Sequence, residues 1–178
     1  MTVNNSTFSN NSGDGIDNYI GTLTVNNSTF NNNATGISNN GTATVNNSIF
    51  HGNASLGFGG GISNDNQLTV NDSTFSNNSA DYGGAIYNSW QLTVNNSTFS
   101  DNSASHGGGI YNDLYTQLTV NNSTFRSNAG RGIENRNGTV NIKNTLLVNS
   151  SSGGNCFNDS TYGVAFHLAG VNFADDNT

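Results

Sequence analysis

Acidic side chains are the first candidates for chemistry in this sequence, because carboxylates can both cleave a glycosidic bond and bind Ca²⁺. Hydrolysis needs two carboxylates that flank the bond, and a polysaccharide lyase needs clustered Asp residues with an Arg or Lys base. Asp65 and Asp113 follow a recurring Ile, whereas Asp81 and Asp101 precede it, so the four do not share one column of the fold. The pattern favours solvated turn residues, and no catalytic residue is predicted.

Histidine, arginine and cysteine give no stronger signal for a metal or cofactor site. The histidines fall at different positions relative to the recurring residues and are not expected to converge: His51, His106 and His167. The arginines could hold an acidic group of a glycan, although a solvated face is the simpler interpretation: Arg126, Arg131 and Arg136. The only cysteine, Cys156, is interpreted as a small buried residue. No metal and no cofactor are predicted.

The composition argues against two classes of partner. Only 8% of the residues are charged, the formal net charge is −7, and four residues are Lys or Arg. Nucleic-acid binding is not expected, because neutralising phosphates requires clustered Lys and Arg. No apolar run approaches the roughly 20 residues of a membrane span, and no secretion signal is visible. The chain opens with Met1-Thr2-Val3, inside a repeated unit, so we expect a segment of a longer protein with its export signal upstream.

Internal repetition dominates the sequence and must provide the elements that position any site. Copies of a segment close to LTVNNSTFSNNSA start at Met1, Leu23, Ala43, Leu68, Leu92 and Leu118, with a weaker copy at Val140. The spacing varies between 20 residues (Leu23 to Ala43) and 26 residues (Leu92 to Leu118). Such a period suits one turn of a solenoid, with loops of different length leaving the same corner of each coil.

Each unit contains three short strands separated by polar turns. In the fourth unit, alternation predicts strands at 68–70, 73–75 and 83–87, with Leu, Val, Phe and Ile facing inward. Asn and Asp between them tolerate left-handed dihedrals and are typical of turns. The sequence therefore predicts an all-β, right-handed parallel β-helix of about seven coils, with 20–26 residues and three strands per coil.

Stacked coils would place equivalent residues about 4.8 Å apart, in ladders. The apolar ladders begin at Val3, Phe8 and Ile16 and recur in each coil. Two asparagine ladders are also predicted, in which side-chain amides bond one another along the stack. Their members are Asn11, Asn33, Asn53, Asn78, Asn102 and Asn128, and Asn18, Asn39, Asn64, Asn88, Asn112 and Asn135.

Two motifs that occur together, FxxN and a Gly pair followed by two small or apolar residues, carry a family resemblance. They read FHGN with GGGI at 50–53 and 59–62, FSNN with GGAI at 75–78 and 83–86, and FSDN with GGGI at 99–102 and 107–110. The pattern resembles the repeats of the polymorphic outer membrane proteins of chlamydiae and of other bacterial surface proteins with a right-handed β-helix. The first two coils and the sixth depart from it, with the shortened forms DGI, TGI and RGI.

The resemblance covers about residues 1–150 and implies a fold, a location and a broad role. It implies a secreted or surface-exposed passenger segment, displayed at the bacterial outer membrane and used in adhesion or display. The motif holds only structural positions, so no catalytic residue is carried over. Residues 151–178 depart from the repeat and resemble an irregular, truncated last coil or cap. In such proteins a Cys like Cys156 pairs with a second Cys, which would lie beyond Thr178.

The predicted function is a non-enzymatic stalk whose variable loops contact a host-surface protein or a glycan. The predicted contact residues are exposed aromatics in those loops: Phe58, Tyr82, Trp90 and Tyr115. A packing role at the coil edge is an alternative for Trp90 and Tyr115. The alternative function is a fragment of a β-helical polysaccharide lyase or hydrolase whose catalytic residues lie elsewhere. Open strand edges at both ends also predict end-to-end self-association.

Overall fold

Short parallel strands make up the regular structure of the chain, which the computed structural model describes over residues 1–159, 166–170 and 173–174. Neighbours within each sheet are separated by a whole coil of chain, and every pairing is parallel, as the repeat predicts. The described residues contain no helix, and therefore none that could cross a membrane. The predicted β-helix of about seven coils with three strands each is confirmed.

Three long sheets, here called A, B and C, form the walls of the solenoid. Sheet A contains, in spatial order, β1 (Thr2–Asn4), β4 (Thr22–Asn26), β7 (Thr42–Asn46), β10 (Gln67–Asn71), β14 (Gln91–Asn95), β18 (Gln117–Asn121), β21 (Thr139–Lys143) and β24 (Phe166–Ala169). Sheet B contains β2 (Thr7–Ser9), β5 (Thr29–Asn31), β8 (Ile49–His51), β11 (Thr74–Ser76), β15 (Thr98–Ser100), β19 (Thr124–Arg126), β22 (Leu146–Val148) and β25 (Phe173–Ala174). Sheet C contains β3 (Ile16–Asn18), β6 (Ile37–Asn39), β9 (Ile62–Asn64), β13 (Ile86–Asn88), β17 (Ile110–Asn112), β20 (Ile133–Arg136) and β23 (Cys156–Asp159).

Two coils carry an additional strand that the sequence did not predict. Strand β12 (Ser79–Tyr82) pairs with β16 (Ser103–His106) outside the three main sheets. The interpretation of Asp81 as a turn residue and of Tyr82 as a loop residue is therefore wrong, and His106 also lies in a strand. Their segments have equal lengths in successive coils, so their backbone groups can pair with each other across the stack.

Asparagine and aspartate form the corners of the coils through left-handed backbone conformations, as predicted. After each of the first seven sheet A strands one such residue turns the chain towards sheet B; Asp72, with φ of 51°, is an example. After most sheet B strands a second one follows, such as Asn77, with φ of 55°. These residues tolerate positive φ because their short polar side chains can bond the local backbone. The corners therefore repeat from coil to coil with little strain.

The interior is filled by the predicted apolar ladders. The rings of Phe8, Phe30, Phe50, Phe75, Phe99 and Phe125 stack with centroids 4.5–5.0 Å apart and planes within 6° of parallel. The Val and Ile ladders are in register within sheets A and C, and from the second coil to the sixth their members are fully buried. Burying one such side chain stabilises the fold by roughly 1.5–3 kcal/mol.

Hydrogen-bonded asparagines close the interior at two corners and confirm both predicted ladders. Amide donates to amide from Asn11 through to Asn128, and from Asn18 through to Asn135. The amide of Asn135 continues the second series to Asn158. The sequence analysis missed a third ladder on the outward side of sheet A, which contains Asn4, Asn26, Asn46, Asn71, Asn95 and Asn121.

The described part of the tail extends all three sheets. Strand β23 pairs with β20, β24 with β21, and β25 with β22. Cys156 pairs with Ile133 in the Ile column and is partly buried against the core. The expected disulfide partner would lie beyond the chain, and the domain boundary at residue 150 stays a prediction.

Candidate functional site

The outward column of sheet C changes from small polar residues to aromatic and charged ones along the stack. In register it contains Asp17, Ser38, Ser63, Tyr87, Tyr111, Glu134 and Phe157. The rings of Tyr87 and Tyr111 lie nearly parallel, with centroids 5.9 Å apart. In the next coil Glu134 takes the place of a third ring. The aromatic column therefore ends at Tyr111, beside a carboxylate.

A second row of rings lies beside this column because the additional strands β12 and β16 are in register. Tyr82 of β12 stacks on His106 of β16 with centroids 4.9 Å apart. Phe58, in the coil before, contacts both rows, 5.6 Å from Tyr82 and 4.5 Å from Tyr87. Tyr82 also meets Tyr111 edge to face at 5.2 Å. We call these five residues the aromatic patch: Phe58, Tyr82, Tyr87, His106 and Tyr111.

Glu134 is the most buried carboxylate near the patch. Its side chain is only 8% exposed, and its Oε1 lies 2.6 Å from Arg131 Nη1 and 3.1 Å from His106 Nδ1. The guanidinium of Arg131 also covers the ring of Phe157, 3.8 Å from the ring centroid. Pairing with Arg131 offsets the cost of burying the charge of Glu134. The second oxygen, Oε2, has no hydrogen-bond partner in the chain.

A cleft of about 250 Å³ opens at the end of the aromatic column. It is lined by Tyr82, His106, Tyr111, Glu134, Arg136 and Asp159, which we call the Glu134 cleft. Five strands contribute these side chains: β12, β16, β17, β20 and β23. The cleft therefore depends on the register of four successive coils. Its lining combines aromatic rings with hydrogen-bonding and charged groups, as saccharide and cofactor sites do.

The pKa values of two phenol groups of the patch, those of Tyr87 and Tyr111, are raised. Burial is the main cause that raises the pKa of Tyr87 well above its usual value, and the hydrogen bond to Asp113 adds to it. The Tyr87 hydroxyl donates to Asp113 Oδ2 over 2.8 Å. Burial also raises the pKa of Tyr111, against a hydrogen bond from Arg136 that lowers it. Both phenols therefore keep their proton over the ordinary pH range.

The four predicted contact residues divide between two places. Phe58 and Tyr82 belong to the aromatic patch, and Phe58 is 50% exposed. Trp90 and Tyr115, which are 55% and 79% exposed, border a separate small cavity of about 80 Å³ with Gln91 and Gln117. The packing alternative for Trp90 and Tyr115 is weakened by this exposure.

Sequence reasoning missed the polar half of the site, namely His106, Tyr111, Glu134 and Asp159. One signal was present: the residue after the recurring Ile is Tyr in GGAIY and GGGIY, but Glu in RGIEN. A change of residue type at an outward position of a regular ladder marks a place where the surface chemistry changes. That position was interpreted only as part of the third strand.

The three arginines do not form one cluster. Arg126 lies 3.7 Å from Asp101, and Arg136 lies 4.0 Å from Asp113. The interpretation of a solvated face is wrong for Arg131, whose side chain is 24% exposed and is paired with Glu134. Within the described residues, no group of three or more His, Cys, Asp or Glu side chains could hold a metal ion.

Comparison with known proteins agrees with the observed path of the chain. The family model described as a right-handed beta helix region matches residues 37–173. No curated protein and no solved structure matches the chain. The finer resemblance to polymorphic outer membrane protein repeats stays a prediction. Since the match spans more than half of the sequence, from strand β6 to strand β25, the chain belongs to the right-handed β-helix family.

Proposed function

We propose that the chain is a non-enzymatic segment of a bacterial surface or secreted protein, a β-helical stalk that binds a glycan or a host-surface protein. The observation that carries this proposal is the aromatic patch, which is built across three coils and is half-exposed at Phe58. Tyr82 and His106 are partly exposed beside Phe58, whereas Tyr87 and Tyr111 lie behind them with 8% and 3% exposure. Neighbouring aromatic side chains that reach the surface can mark a contact site for a partner.

Rigidity supports the role of a stalk. Each coil is held to the next by stacked phenylalanines and by continuous asparagine ladders, so the surface residues sit on a stiff frame. Binding to a rigid, preformed surface avoids the entropy cost of ordering loops. Aromatic rings with hydroxyl groups at their edges suit both sugar rings and protein partners.

The test is binding of the purified chain to a glycan array and to intact host cells. Tyr82→Ala removes a ring from the aromatic patch, and Trp90→Ala removes one from the second cavity. Tyr19→Ala is the matched control, because Tyr19 is 70% exposed and belongs to neither site. Loss of a central aromatic contact is expected to weaken binding about tenfold or more. If neither the array nor the cells retain the chain, or if all three variants bind like the parent chain, the proposal is wrong.

One observation favours a second candidate, a polysaccharide-degrading enzyme. Glu134 and Asp159 line the same cleft, and glycoside hydrolysis uses two carboxylates. Incubation with neutral and acidic polysaccharides, followed by assay for new reducing ends or unsaturated products, distinguishes the candidates. Turnover that Glu134→Gln abolishes would replace the stalk proposal by the enzyme.

A further inference from the structure

We propose that the Glu134 cleft is the subsite that sets ligand specificity, and that it accepts a non-acidic sugar unit whose hydroxyl or amino group donates to Glu134 Oε2. This inference rests on the proposed function, since it names the ligand class of the same surface. It assigns Glu134 as an acceptor and not as a structural residue alone.

The two carboxylate oxygens of Glu134 are used unequally. Oε1 accepts from Arg131 Nη1 at 2.6 Å and from His106 Nδ1 at 3.1 Å. Oε2 has no hydrogen-bond partner in the chain, although the side chain is more than nine-tenths buried. A buried polar atom without a hydrogen bond costs about 1–3 kcal/mol. A donor on a ligand would recover that cost, so the site gains affinity from the group it leaves unpaired.

A ligand can reach the interior of the cleft through its rim. His106 and Arg136 form its rim, and their side chains are 44% and 53% exposed, so both can rotate without disturbing the core. Oε2 itself is covered, and a ligand must displace part of this rim to reach it. Tyr82, which is partly exposed, lines the wall beside it and offers aromatic contact to the apolar face of a sugar ring, whereas Tyr111 is buried behind Tyr82.

The charged groups around the cleft disfavour an acidic ligand. Three carboxylates lie at or next to the cleft, those of Asp113, Glu134 and Asp159, against the two guanidinium groups of Arg131 and Arg136. Arg131 and Arg136 both lie within 4.0 Å of a carboxylate of this set. Their attraction for an anionic ligand is therefore reduced. A uronic acid or a sulfated sugar would meet net repulsion, whereas a hydroxyl or an ammonium group would not.

The volume of the Glu134 cleft limits the size of its ligand. The volume of about 250 Å³ lies below the roughly 300–1,000 Å³ of pockets that enclose drug-sized ligands. The cleft therefore suits one sugar unit, with the rest of an oligosaccharide lying along the aromatic patch. This arrangement explains why the cleft sits at the end of the aromatic column.

The experiment is a calorimetric titration of the chain with three oligosaccharides of equal length: a chitosan oligosaccharide with free amines, its neutral N-acetylated form, and an oligogalacturonate. We expect binding of one or both non-acidic ligands and markedly weaker binding of the oligogalacturonate. Glu134→Gln keeps the shape of the side chain but replaces an acceptor by a donor, and it is expected to weaken binding about tenfold.

Asp72→Asn is the matched control for the loss of one negative charge. Asp72 occupies the turn where neighbouring coils have Asn47 and Asn96, so the substitution restores the consensus of the repeat. It is expected to leave binding unchanged. The urea midpoint of each variant shows whether it is folded. If Glu134→Gln does not fold, the nuclear magnetic resonance signals of the wild-type chain decide: the ligand must shift the His106 imidazole signal and not the Trp90 indole signal.

The outcomes separate this inference from the function on which it rests. Equal affinity of Glu134→Gln and the parent chain, an unmoved His106 signal, or tightest binding of the oligogalacturonate would overturn the assignment of Glu134. Binding that depends on Tyr82 but not on Glu134 would leave the stalk proposal standing. Absence of binding to every glycan and cell tested would remove both.

Discussion

Single asparagines have three different duties in this chain, and their position in the coil decides which. Those at corners, such as Asn77, adopt positive φ; those of the two inward ladders, apart from the exposed Asn11, are buried; those of the sheet A ladder face outward. The same amide group thus contributes to a turn, to the interior or to the surface. Stability should respond very differently to its removal at each place.

Asn78→Ala is expected to destabilise the chain by more than about 2 kcal/mol. The Asn78 amide accepts from the backbone N–H and side chain of Asn53, and it donates to Phe50 O and to Asn102 Oδ1, all at 2.9–3.0 Å within the interior. Its removal leaves these buried groups without a partner. Urea unfolding followed by circular dichroism measures the change.

Asn71→Ala is the control within the outward ladder. Asn71 also links two neighbouring amides, those of Asn46 and Asn95, over 2.8 and 2.9 Å, but water can replace it there. A loss of less than about 1 kcal/mol is expected. Equal losses at Asn78 and Asn71 would show that burial does not decide the importance of the ladders.

Some roles of single residues could be predicted from the sequence. Asn78 and Asn88 could be assigned to ladders because each recurs at a fixed distance from Phe or Ile. The buried position of those amides was not predicted, since polarity alone suggests a surface. The unpaired oxygen of Glu134 was beyond prediction, because it depends on how Arg131 and His106 divide their contacts.

At the scale of elements, the strands are too short to be stable alone. Most have three to five residues and bury one or two apolar side chains each. Each gains its stability from the same strand in the coils on either side, through parallel pairing and stacked rings. The number of neighbouring coils therefore determines how much a core residue contributes to the stability of the fold.

Phe75→Ala and Phe8→Ala test this dependence in one ladder. Phe75 is fully buried between Phe50 and Phe99, so its truncation is expected to cost about 3–5 kcal/mol. Phe8 is partly exposed and stacks only on Phe30 among the ladder residues, so about 1–2 kcal/mol is expected. Thermal or urea unfolding of both variants gives the comparison. A larger loss at Phe8 than at Phe75 would contradict stabilisation from both sides.

The repeat predicted the main strands, but it did not predict the Glu134 cleft. Val, Phe and Ile recur in the first six coils, which fixes three strands per coil and their inward faces. Strands β12 and β16 involve residues that differ between coils, Tyr82 and His106, and their pairing depends on two insertions of equal length. The Glu134 cleft also needs the tail strand β23 for Asp159, a segment whose sequence departs from the repeat.

At the scale of the whole molecule, the chain is a linear stack in which contacts connect each coil to its neighbours. Strands β1, β2 and β3 each have a single neighbour in their sheets, so the outer edges of the first coil present unpaired backbone groups in this 178-residue chain. Such edges can pair with another chain unless something covers or charges them. The outward residues there are uncharged: Thr2 and Asn4 in β1, and Thr7 and Ser9 in β2.

We therefore expect the isolated chain to associate end to end, with a sedimentation coefficient that rises with concentration. Lys on an edge strand opposes such pairing, so the double variant Thr7→Lys and Ser9→Lys should sediment closer to a monomer. Thr74→Lys and Ser76→Lys place the same charges on β11, at equivalent positions in the middle of sheet B, and should not change association. A monomer at all concentrations would show that the open edges do not pair. Equal effects of both double variants would attribute the association to lateral contacts between sheet faces, and the stalk would then bundle side by side and not lengthen.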